Sequence, residues 1–322
     1  MEIPPPPKTE AERSALREHF LEPETRCDTF VSVRTKKVWM KMLDILEQIM
    51  AICERHDLRW TVTSGTLLGA IRHGGFIPWD EDLDIAMPRK DFNAFQKLAP
   101  DELRTPYSLE NWITEDDAEP AFARVRNGET ASILNAYAER HRLFNQGIFV
   151  DIYPLDGIPD GRIARRMYEW LVWNIIRTRK QSLNPPTAPS SGWKDSVRRA
   201  VHRVVGTRFL FCFLNALTAR NPFEQCLMCG LTPYNFYEGL WRNSRCPSEW
   251  FLSTEKRDFE YLVVNVPAKW EKVLAAYYGN WRRFVKGTCN HDGELLTDPD
   301  RSYREILPEQ FAHYGYTEAD FK

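Results

Sequence analysis

The chain has 322 residues, of which 43% are hydrophobic, enough to bury the core of one large domain or of two small ones. Its formal net charge of -2 gives no overall electrostatic footprint for nucleic acid, and no apolar run reaches the ~20 residues that span a bilayer. Residues 1–7 carry an acid and four prolines where a secretory signal would carry a basic start and an apolar core. We therefore expect a cytoplasmic protein that does not bind nucleic acid.

The chain contains seven cysteines, an odd number in a sequence too long to need disulfide bonds, which fits a reducing compartment. One alternative is a zinc site, with the C-x-x-C pair of Cys226 and Cys229 followed by Cys246, Cys289 and His291. The pair lies in an apolar context, and no second compact pair follows at zinc-finger spacing. Buried free thiols are therefore the favoured interpretation.

The first predicted elements lead to a turn at Ser64-Gly65. Residues 1 to 33 are Pro-rich and then charged, which predicts an extended arm with at most a short helix. Apolar residues at steps of three and four predict a packing helix over residues 34–56, and the alternating pattern of residues 58–62 predicts a short strand. That strand ends at Ser64-Gly65, where glycine's tolerance of positive φ allows a tight turn.

A helix from Thr66 to Arg72 is predicted directly after this turn. Backbone N–H groups at the start of a helix attract anions, so Ser64, Gly65 and Thr66 form a candidate phosphate site. Arg72 and His73, at the other end of the helix, are phosphate contacts in one interpretation and loop stabilisers in the other.

Four acids then occur within five positions: Asp80, Glu81, Asp82 and Asp84. In a strand, alternate side chains share a face, so Asp82 and Asp84 are expected to point the same way while Leu83 enters the core. Two carboxylates on one face repel each other unless a cation lies between them, which predicts a divalent site for Mg²⁺ or Mn²⁺. Asp80 does not share this face if the strand begins only after Asp80.

Further on, a helix over residues 88–98 is predicted to stop before Pro100, and residues 107–113 predict a strand. Segments 122–126 and 130–134 flank Asn127-Gly128, which predicts a β-hairpin. Arg124 and Arg126 would share one strand face there. They are either a substrate-binding pair for an anion or two solvated side chains.

The run Gly147 to Tyr153 is an apolar strand with a single acid, Asp151, at its middle. A buried carboxylate needs a metal or a cationic partner, so Asp151 is the candidate third metal ligand. The alternative is a structural aspartate paired with an arginine. Asp156, after the strand, is predicted to be a turn residue.

Residues 162–180 predict a basic, aromatic-rich helix, followed by a Pro/Ser-rich loop (184–192) and two further helical segments (193–205 and 209–214). These helices either pack on one another or contact a membrane surface. Residues 259–266 then predict a strand, and residues 267–278 a helix that ends at Gly279. The tail from Asn280 is predicted to be rich in loops.

Together, the phosphate turn, the two strand acids and the third acid on a later strand predict metal-assisted phosphoryl transfer. The glycines do not match the Walker pattern of nucleotide-binding loops.

The segment from Ser64 to Met87, SGTLLGAIRHGGFIPWDEDLDIAM, resembles the signature of the LicD family, and residues 147–159, GIFVDIYPLDGIP, are similar to a second block of that family. Residues 264–279 resemble its C-terminal part more weakly, with Asn280 where the family usually has Asp. The resemblance covers about residues 34 to 290. It implies an α/β (α+β) fold, with a nucleotidyltransferase-like core of a mixed sheet flanked by helices and a mostly helical C-terminal insertion.

With that fold we expect an N-terminal arm (1–33), a catalytic core (34–160), a helical region next to the acceptor or a membrane (161–250), and a strand and helix that complete the core (251–322). The resemblance implies transfer of phosphocholine from CDP-choline to a sugar hydroxyl of a lipopolysaccharide- or teichoic-acid-type glycan, with release of CMP. Ser64-Gly65 would be the phosphate turn, Asp82 and Asp84 metal ligands, and Asp151 a metal ligand, a base, or both.

Two alternatives stay open at this point. Another CDP-activated alcohol, ribitol or glycerol, would use the same site, and a non-catalytic nucleotide- or glycan-binding protein would keep the same scaffold. The expected location is cytoplasmic, with peripheral contact to the inner face of the membrane if the basic helices are interfacial.

Overall fold

The structure, a computed structural model, describes residues 8–114, 122–135, 138, 143–183, 193–231, 245–285 and 295–313. Its helices are α1 (Glu10–Glu18), α2 (Val33–Arg55), α3 (Ser64–Arg72), α4 (Arg89–Glu102), α5 (Arg162–Leu183), α6 (Trp193–Val205), α7 (Thr207–Thr218), α8 (Trp270–Tyr278) and α9 (Tyr303–His313). Its strands are β1 (Glu24–Arg26), β2 (Thr29–Val31), β3 (Thr61–Val62), β4 (Asp84–Pro88), β5 (Tyr107–Glu110), β6 (Ala123–Asn127), β7 (Ala131–Leu134), β8 (Ile148–Ile158), β9 (Met228–Leu231), β10 (Cys246–Pro247), β11 (Thr254–Phe259), β12 (Leu262–Pro267) and β13 (Leu295–Asp298).

The centre of the fold is a seven-stranded mixed sheet built around β8. Strand β4 runs parallel to β8 along one edge, and β3 pairs antiparallel with β4. On the other edge of β8, β6 pairs with its first half and β9 with its second half, both antiparallel. Every residue of β8 is buried, as expected for a strand with neighbours on both edges. The predicted mixed sheet flanked by helices is confirmed.

Helix α2 packs against this sheet through the apolar stripe that its sequence predicts. The Ser32 hydroxyl accepts a hydrogen bond from the Thr35 backbone N–H at 3.1 Å and so caps the start of the helix. Trp39, Leu43 and Leu46 are fully buried against the core, and each such side chain contributes roughly 1.5–3 kcal/mol to folding. The predicted helix over residues 34–56 is confirmed.

Helices α5 and α7 form a second, smaller core beside the sheet. Tyr168, Val172 and Ile176 of α5 are buried together with Phe211 and Leu214 of α7. The prediction that these helices pack on one another is confirmed for this face. None of the helices that the structure describes is both long enough and apolar enough to cross a membrane.

The predicted hairpin around Asn127-Gly128 is wrong. Strand β6 pairs with β5 on one side and with β8 on the other, so neither of its edges is left for β7. Strand β7 pairs instead with β13, more than 160 residues further along the chain. The Thr130 N–H and hydroxyl both donate to the Asn127 carbonyl, at 3.2 Å and 2.8 Å, and this turn leads the chain away from β6.

The prediction that Asp156 is a turn residue is also wrong, because β8 continues past Tyr153 to Ile158. Asp156 is 1% exposed and forms a bidentate ion pair with Arg89 at the start of α4. Arg89 Nε donates to Asp156 Oδ1 at 2.8 Å and Arg89 Nη2 donates to Oδ2 at 2.6 Å. A cation from the neighbouring helix therefore allows the acid to remain inside the strand.

Helix α4 does not stop before Pro100 as predicted, but runs through it to Glu102. A proline in the last turn removes a single intrahelical hydrogen bond near the end of the helix, which limits its cost. The N-terminal arm contains the expected short helix, α1, and in addition the β1–β2 hairpin.

The single strand predicted over residues 259–266 is instead a β-hairpin of β11 and β12. The chain reverses at Glu260, which has a φ of 56°, so that Phe259 pairs with Leu262. Helix α8 begins at Trp270, later than predicted, because Pro267 still belongs to β12. It ends at Gly279, as predicted, and Gly279 has a φ of 61°. The tail from Asn280 contains β13 and α9, so it is more regular than the sequence predicted.

Candidate active site

The start of α3 holds the strained turn that the sequence predicts, but at a different residue. Ser64 has a φ of 51°, a left-handed conformation that is unfavourable for a residue with a side chain. Gly65 is required for another reason, since a Cβ there would lie 2.6 Å from Asp80 Oδ2. The lack of a side chain at Gly65 therefore lets the Asp80 carboxylate approach the first turn of the helix.

Hydrogen bonds join the start of α3 to the acidic strand. The Asp84 N–H donates to the Thr66 hydroxyl at 2.8 Å, and the Thr63 N–H donates to the Asp84 carbonyl at 3.1 Å. The backbone N–H groups of the first three residues of α3 have no partner inside the helix, because the first such hydrogen bond runs from the Leu67 N–H to the Thr63 carbonyl at 2.9 Å. The candidate phosphate turn of Ser64, Gly65 and Thr66 is therefore fixed directly beside Asp84.

Asp84 and Asp151 are direct neighbours on the parallel strands β4 and β8, and Arg124 is the next residue across on β6. Strand β4 begins at Asp84, so Asp82 lies just before it. Burial still alternates in this stretch, with Leu83 and Ile85 in the core and Asp82 and Asp84 half-buried. The topology thus brings together the three predicted carboxylates, although they come from positions up to 69 residues apart.

The neighbouring carboxylates of this cluster raise one another's pKa values. Burial raises the pKa of Asp84 well above its usual range, and the nearby Asp82, Asp151 and Asp80 raise it further, against an opposing effect of Arg124. Burial, with a smaller contribution from Asp82, raises the pKa of Asp80 to about 7. Asp80 therefore belongs to the cluster, whereas the strand argument from the sequence had set it apart.

The chemistry of this donor set fits a divalent cation that prefers oxygen ligands, because crowded carboxylates lose their mutual repulsion when such an ion binds. Among the residues that the structure describes, no group of three or more His, Cys, Asp or Glu side chains is arranged as it stands to hold a metal ion. Mg²⁺ or Mn²⁺ binding by Asp82, Asp84 and Asp151 stays a prediction.

Asp151 has two hydrogen-bond donors on its own sheet. Arg124 Nε donates to its Oδ1 at 2.6 Å, and the Tyr153 hydroxyl donates to its Oδ2 at 3.0 Å. The Arg124 guanidinium also lies over the Phe149 ring, 4.6 Å from its centroid. Asp151 thus combines both sequence interpretations, since it has an arginine partner and also lies beside Asp84.

Arg126 shares a strand face with Arg124, as predicted, and both guanidinium groups lie over Phe149. It is 1% exposed, forms a buried ion pair with Glu110, and donates from Nη1 to the Gly147 carbonyl at 2.9 Å. The structure therefore does not bring Arg126 to the acidic cluster. Its role as a substrate ligand stays a prediction.

Arg72 and His73, at the end of α3, contact each other and the segment that follows α8. Arg72 Nε donates to His73 Nε2 at 3.0 Å, and Arg72 Nη1 donates to the Trp281 carbonyl at 3.1 Å. In the described part of the chain no carboxylate pairs with Arg72, which rests on the Phe284 ring at 4.7 Å from its centroid. Burial, followed by Arg72 and Arg26, lowers the pKa of His73 to about 4, so its imidazole is neutral at pH 7.

The sequence did not single out Tyr278, at the end of α8, as a site residue. Burial raises the pKa of its hydroxyl, Asp84 and Asp80 raise it further, and Arg72 lowers it. Its side chain is nevertheless 43% exposed, so it forms part of the site's surface while interacting with both the acids and Arg72. Its place in the weak C-terminal block of the family resemblance was the one available signal.

The cysteines of the proposed zinc alternative lie elsewhere. Cys229 and Cys246 are free, buried, and opposite each other on β9 and β10. Burial raises the pKa of both thiols, to about 12 for Cys246, so they are protonated at neutral pH. Cys289 and His291 lie outside the described residues.

Comparisons with known proteins agree with this geometry. The family described as LicD/FKTN/FKRP, nucleotidyltransferase domain, matches residues 57–157, a range that includes Ser64 and every acid of the cluster. The lipopolysaccharide cholinephosphotransferase LicD of Haemophilus influenzae is 26% identical over 250 residues, which are 75% of this chain and 88% of that protein. The human ribitol 5-phosphate transferase FKRP is 30% identical over 82 residues, 26% of this chain and 17% of that protein.

A third relative, an uncharacterized protein of Rickettsia prowazekii, is 30% identical over 121 residues, 38% of this chain and 41% of that protein. The matched domain holds the candidate phosphate turn and the neighbouring acids of β4 and β8. Residues 57–157 of the chain therefore match the nucleotidyltransferase domain of the LicD/FKTN/FKRP family, and the chain is similar over 75% of its length to a LicD protein.

Proposed function

We propose that this protein transfers phosphocholine from CDP-choline to a sugar hydroxyl of a cell-surface glycan, of lipopolysaccharide or teichoic-acid type, and releases CMP. The observation that carries the proposal is the alignment of Asp84 with Asp151 across parallel strands, beside the strained start of α3. This arrangement lies in a chain that is similar over most of its length to a lipopolysaccharide cholinephosphotransferase.

In this proposal the two sides of the site bind the diphosphate of the donor. The backbone N–H groups of Ser64, Gly65 and Thr66 donate to phosphate oxygens at the start of α3. Arg72 adds a positive charge, and the neutral His73 adds polarity without charge. Asp82, Asp84 and Asp151 would hold Mg²⁺ or Mn²⁺. Such an ion offsets negative charge on the attacking and leaving oxygens of a phosphoryl transfer.

Asp151 has a second role in the proposal. Its two hydrogen bonds, from Arg124 and Tyr153, fix the orientation of its carboxylate at the middle of the sheet. An acceptor hydroxyl placed next to it transfers its proton to the carboxylate as the phosphorus–oxygen bond forms, and CMP departs with the electrons of the broken bond. Asp151 acts as a metal ligand, as this base, or as both.

The test is CMP release from CDP-choline, with Mg²⁺ and a panel of lipopolysaccharide and teichoic-acid oligosaccharides. We expect release that depends on both the acceptor and the divalent ion, and a phosphocholine-modified oligosaccharide in the mass spectrum. Asp82→Asn and Asp84→Asn should each lower it by at least about 100-fold, while Asp101→Asn, a change of an exposed acid on α4, should leave it unchanged. Full activity of both cluster variants would contradict the assignment of the acids.

The similarity to a ribitol 5-phosphate transferase favours a second candidate, in which the same site uses CDP-ribitol or CDP-glycerol. CMP release measured in parallel with the three donors separates the alternatives. If the protein binds nucleotide but releases no CMP with any donor and acceptor, the non-catalytic alternative is correct.

A further inference from the structure

Helix α5 is apolar on two opposite sides. Tyr168, Val172 and Ile176 face the small core that α5 shares with α7. On the other side Ile163, Met167, Trp170 and Trp173 follow one another at steps of three and four and are exposed, Trp170 to 64%. A helix that packs only on its own protein would carry polar residues on this second side.

Helices α6 and α7 also expose apolar side chains. Val197, Val201 and Val204 lie on one side of α6 and are exposed, as are Phe209 and Phe213 on one side of α7. The three helices pack against one another, so their exposed apolar faces belong to one compact helical unit. Large apolar side chains concentrated on the surface in this way mark a site of interaction.

The same segment carries a charge opposite in sign to that of the rest of the chain. Residues 162–218 contain eleven Lys and Arg but only two Asp and Glu, a formal charge of +9 in a chain whose total is -2. Arg166 is exposed next to Met167. The guanidinium groups of Arg177 and Arg198 lie over the exposed Trp173, 4.7 Å and 5.4 Å from its ring centroid. Of the two acids, Glu169 is paired with Arg245 at 2.9 Å.

The positive charge and the exposed apolar side chains together favour one kind of binding partner. A second copy of the chain that paired through the same face would bring one strongly positive surface against another, and charge repulsion disfavours this pairing. An anionic lipid bilayer offers negative headgroups to the arginines and an apolar interior to the Trp, Met, Val and Phe side chains. Tryptophan is moreover enriched at the level of the headgroups.

We propose that α5, α6 and α7 form a peripheral binding surface for membranes that contain anionic lipids. The apolar side chains enter the boundary between headgroups and acyl chains while the arginines contact lipid phosphates. Neither signal alone gives stable attachment, and the two together do. The inference does not depend on the proposed transferase activity, because binding is measured without donor or acceptor.

The test measures how much of the whole protein sediments with lipid vesicles. The vesicles consist of phosphatidylcholine alone or of phosphatidylcholine mixed with phosphatidylglycerol. We expect binding to the mixed vesicles that weakens as salt is added, and much weaker binding to the neutral vesicles. Replacement of Arg166 by Gln should weaken partitioning into mixed vesicles about fivefold, the effect of one basic charge near the surface.

The apolar contribution is tested with the double variant Met167→Glu/Trp170→Glu. It should bind at least about tenfold more weakly, because large apolar side chains leave the bilayer boundary. The matched control is Phe30→Glu/Leu252→Glu, which makes the same charge change at two other exposed apolar positions. Its vesicle binding should weaken only slightly, through the change in net charge. Thermal unfolding of all variants confirms that they are folded.

The proposal is overturned if the wild-type protein binds neither kind of vesicle, or binds both equally. It is also overturned if the control variant loses as much binding as the test variant. Sedimentation velocity provides the last check, since a dimer that Met167→Glu/Trp170→Glu converts to monomers would show that a second copy covers this face.

Discussion

Two aspartates on the central strand β8 have arginine partners but different surroundings. Asp156 accepts two hydrogen bonds from Arg89 and is 1% exposed. Asp151 accepts one from Arg124 and one from Tyr153, and its neighbour on the parallel strand is Asp84. Because they are five residues apart, the two side chains project from opposite faces of the sheet.

The difference separates a structural acid from a functional one. The charge of Asp156 is balanced within the fold, so its pair with Arg89 leaves nothing for a ligand to bind. Among the described residues, the cluster around Asp151 contains more carboxylates than cations. Burial and mutual repulsion disfavour the charged forms of these acids, as the raised pKa values of Asp80 and Asp84 indicate. An acid that the fold itself does not need is the better candidate for chemistry.

The largest expected effect comes from breaking the structural pair. Asp156→Ala leaves Arg89 charged and buried without its partner, and should lower the free energy of unfolding by about 3–5 kcal/mol. Urea denaturation followed by tryptophan fluorescence measures this change. Asp300→Ala, which breaks an exposed pair with Lys37, is the control and should cost about 0–1 kcal/mol. Equal costs for the two variants would contradict the structural role of Asp156.

Asp84→Asn should show the reverse pattern. We expect CMP release to fall about 10²–10³-fold, equivalent to about 2.7–4 kcal/mol, because a carboxylate of the reaction centre is lost. The free energy of unfolding should be unchanged or higher, since the amide carries no charge for the other acids to repel. Activity and urea denaturation are measured on the same preparation. A loss of stability as large as that of Asp156→Ala would make Asp84 a structural acid.

Gly65→Ala moves an acid without removing it. The new methyl group would lie 2.6 Å from Asp80 Oδ2, and the short side chain of Asp80 must shift. Activity should fall roughly 10- to 100-fold, whereas stability should fall by about 1 kcal/mol, the low end for overpacking. In Gly69→Ala the methyl group would meet the Gly75 carbonyl at 2.4 Å, which is backbone, so this control should lose more stability. The reverse order of stabilities would refute the explanation.

The smallest effect extends the comparison to His73, at the other end of α3. The native state holds His73 neutral, with a pKa lowered to about 4 mainly by burial, whereas an unfolded chain takes up a proton below about pH 6.5. Its contribution to stability is therefore complete above pH 6.5 and is lost as the pH falls towards 4. Because the side chain is partly exposed, we expect a loss of no more than about 1 kcal/mol over this range. The free energy of unfolding of wild type, measured by urea denaturation, should fall relative to that of His73→Gln as the pH decreases from 6.5 to 4, because glutamine stays neutral. A difference that does not change with pH would exclude this role.

The sequence was a good guide to the elements that position the site. Apolar periodicity predicted α2, and alternation around Leu83 predicted the strand that carries Asp84. A single acid in the apolar run of β8 predicted that Asp151 would join the other carboxylates. These predictions succeeded because each depends on a local pattern that burial enforces along one element.

The sequence was a poor guide wherever a partner came from a distant part of the chain. Nothing near Asn127 shows that β5 and β8 occupy both edges of β6, so the turn signal predicted a hairpin that does not form. The partners of Arg126 and Asp156 come from other elements, and only the folded chain shows that these charges are balanced internally. Ser64 carries the positive φ beside a glycine, where propensity alone favours the glycine.

The parallel register of β4 and β8 also determines where the chain tolerates changes in length. Main-chain hydrogen bonds align Asp84 with Asp151, so the number of residues in the long connection between the two strands does not set the distance between the carboxylates. Insertions or deletions in that connection leave the acids opposite each other. A one-residue insertion within β8 before Asp151 would instead place Val150 opposite Asp84 and turn the aspartate towards the other face of the sheet. Variation in length between proteins that share this domain should therefore concentrate in the connection and spare both strands.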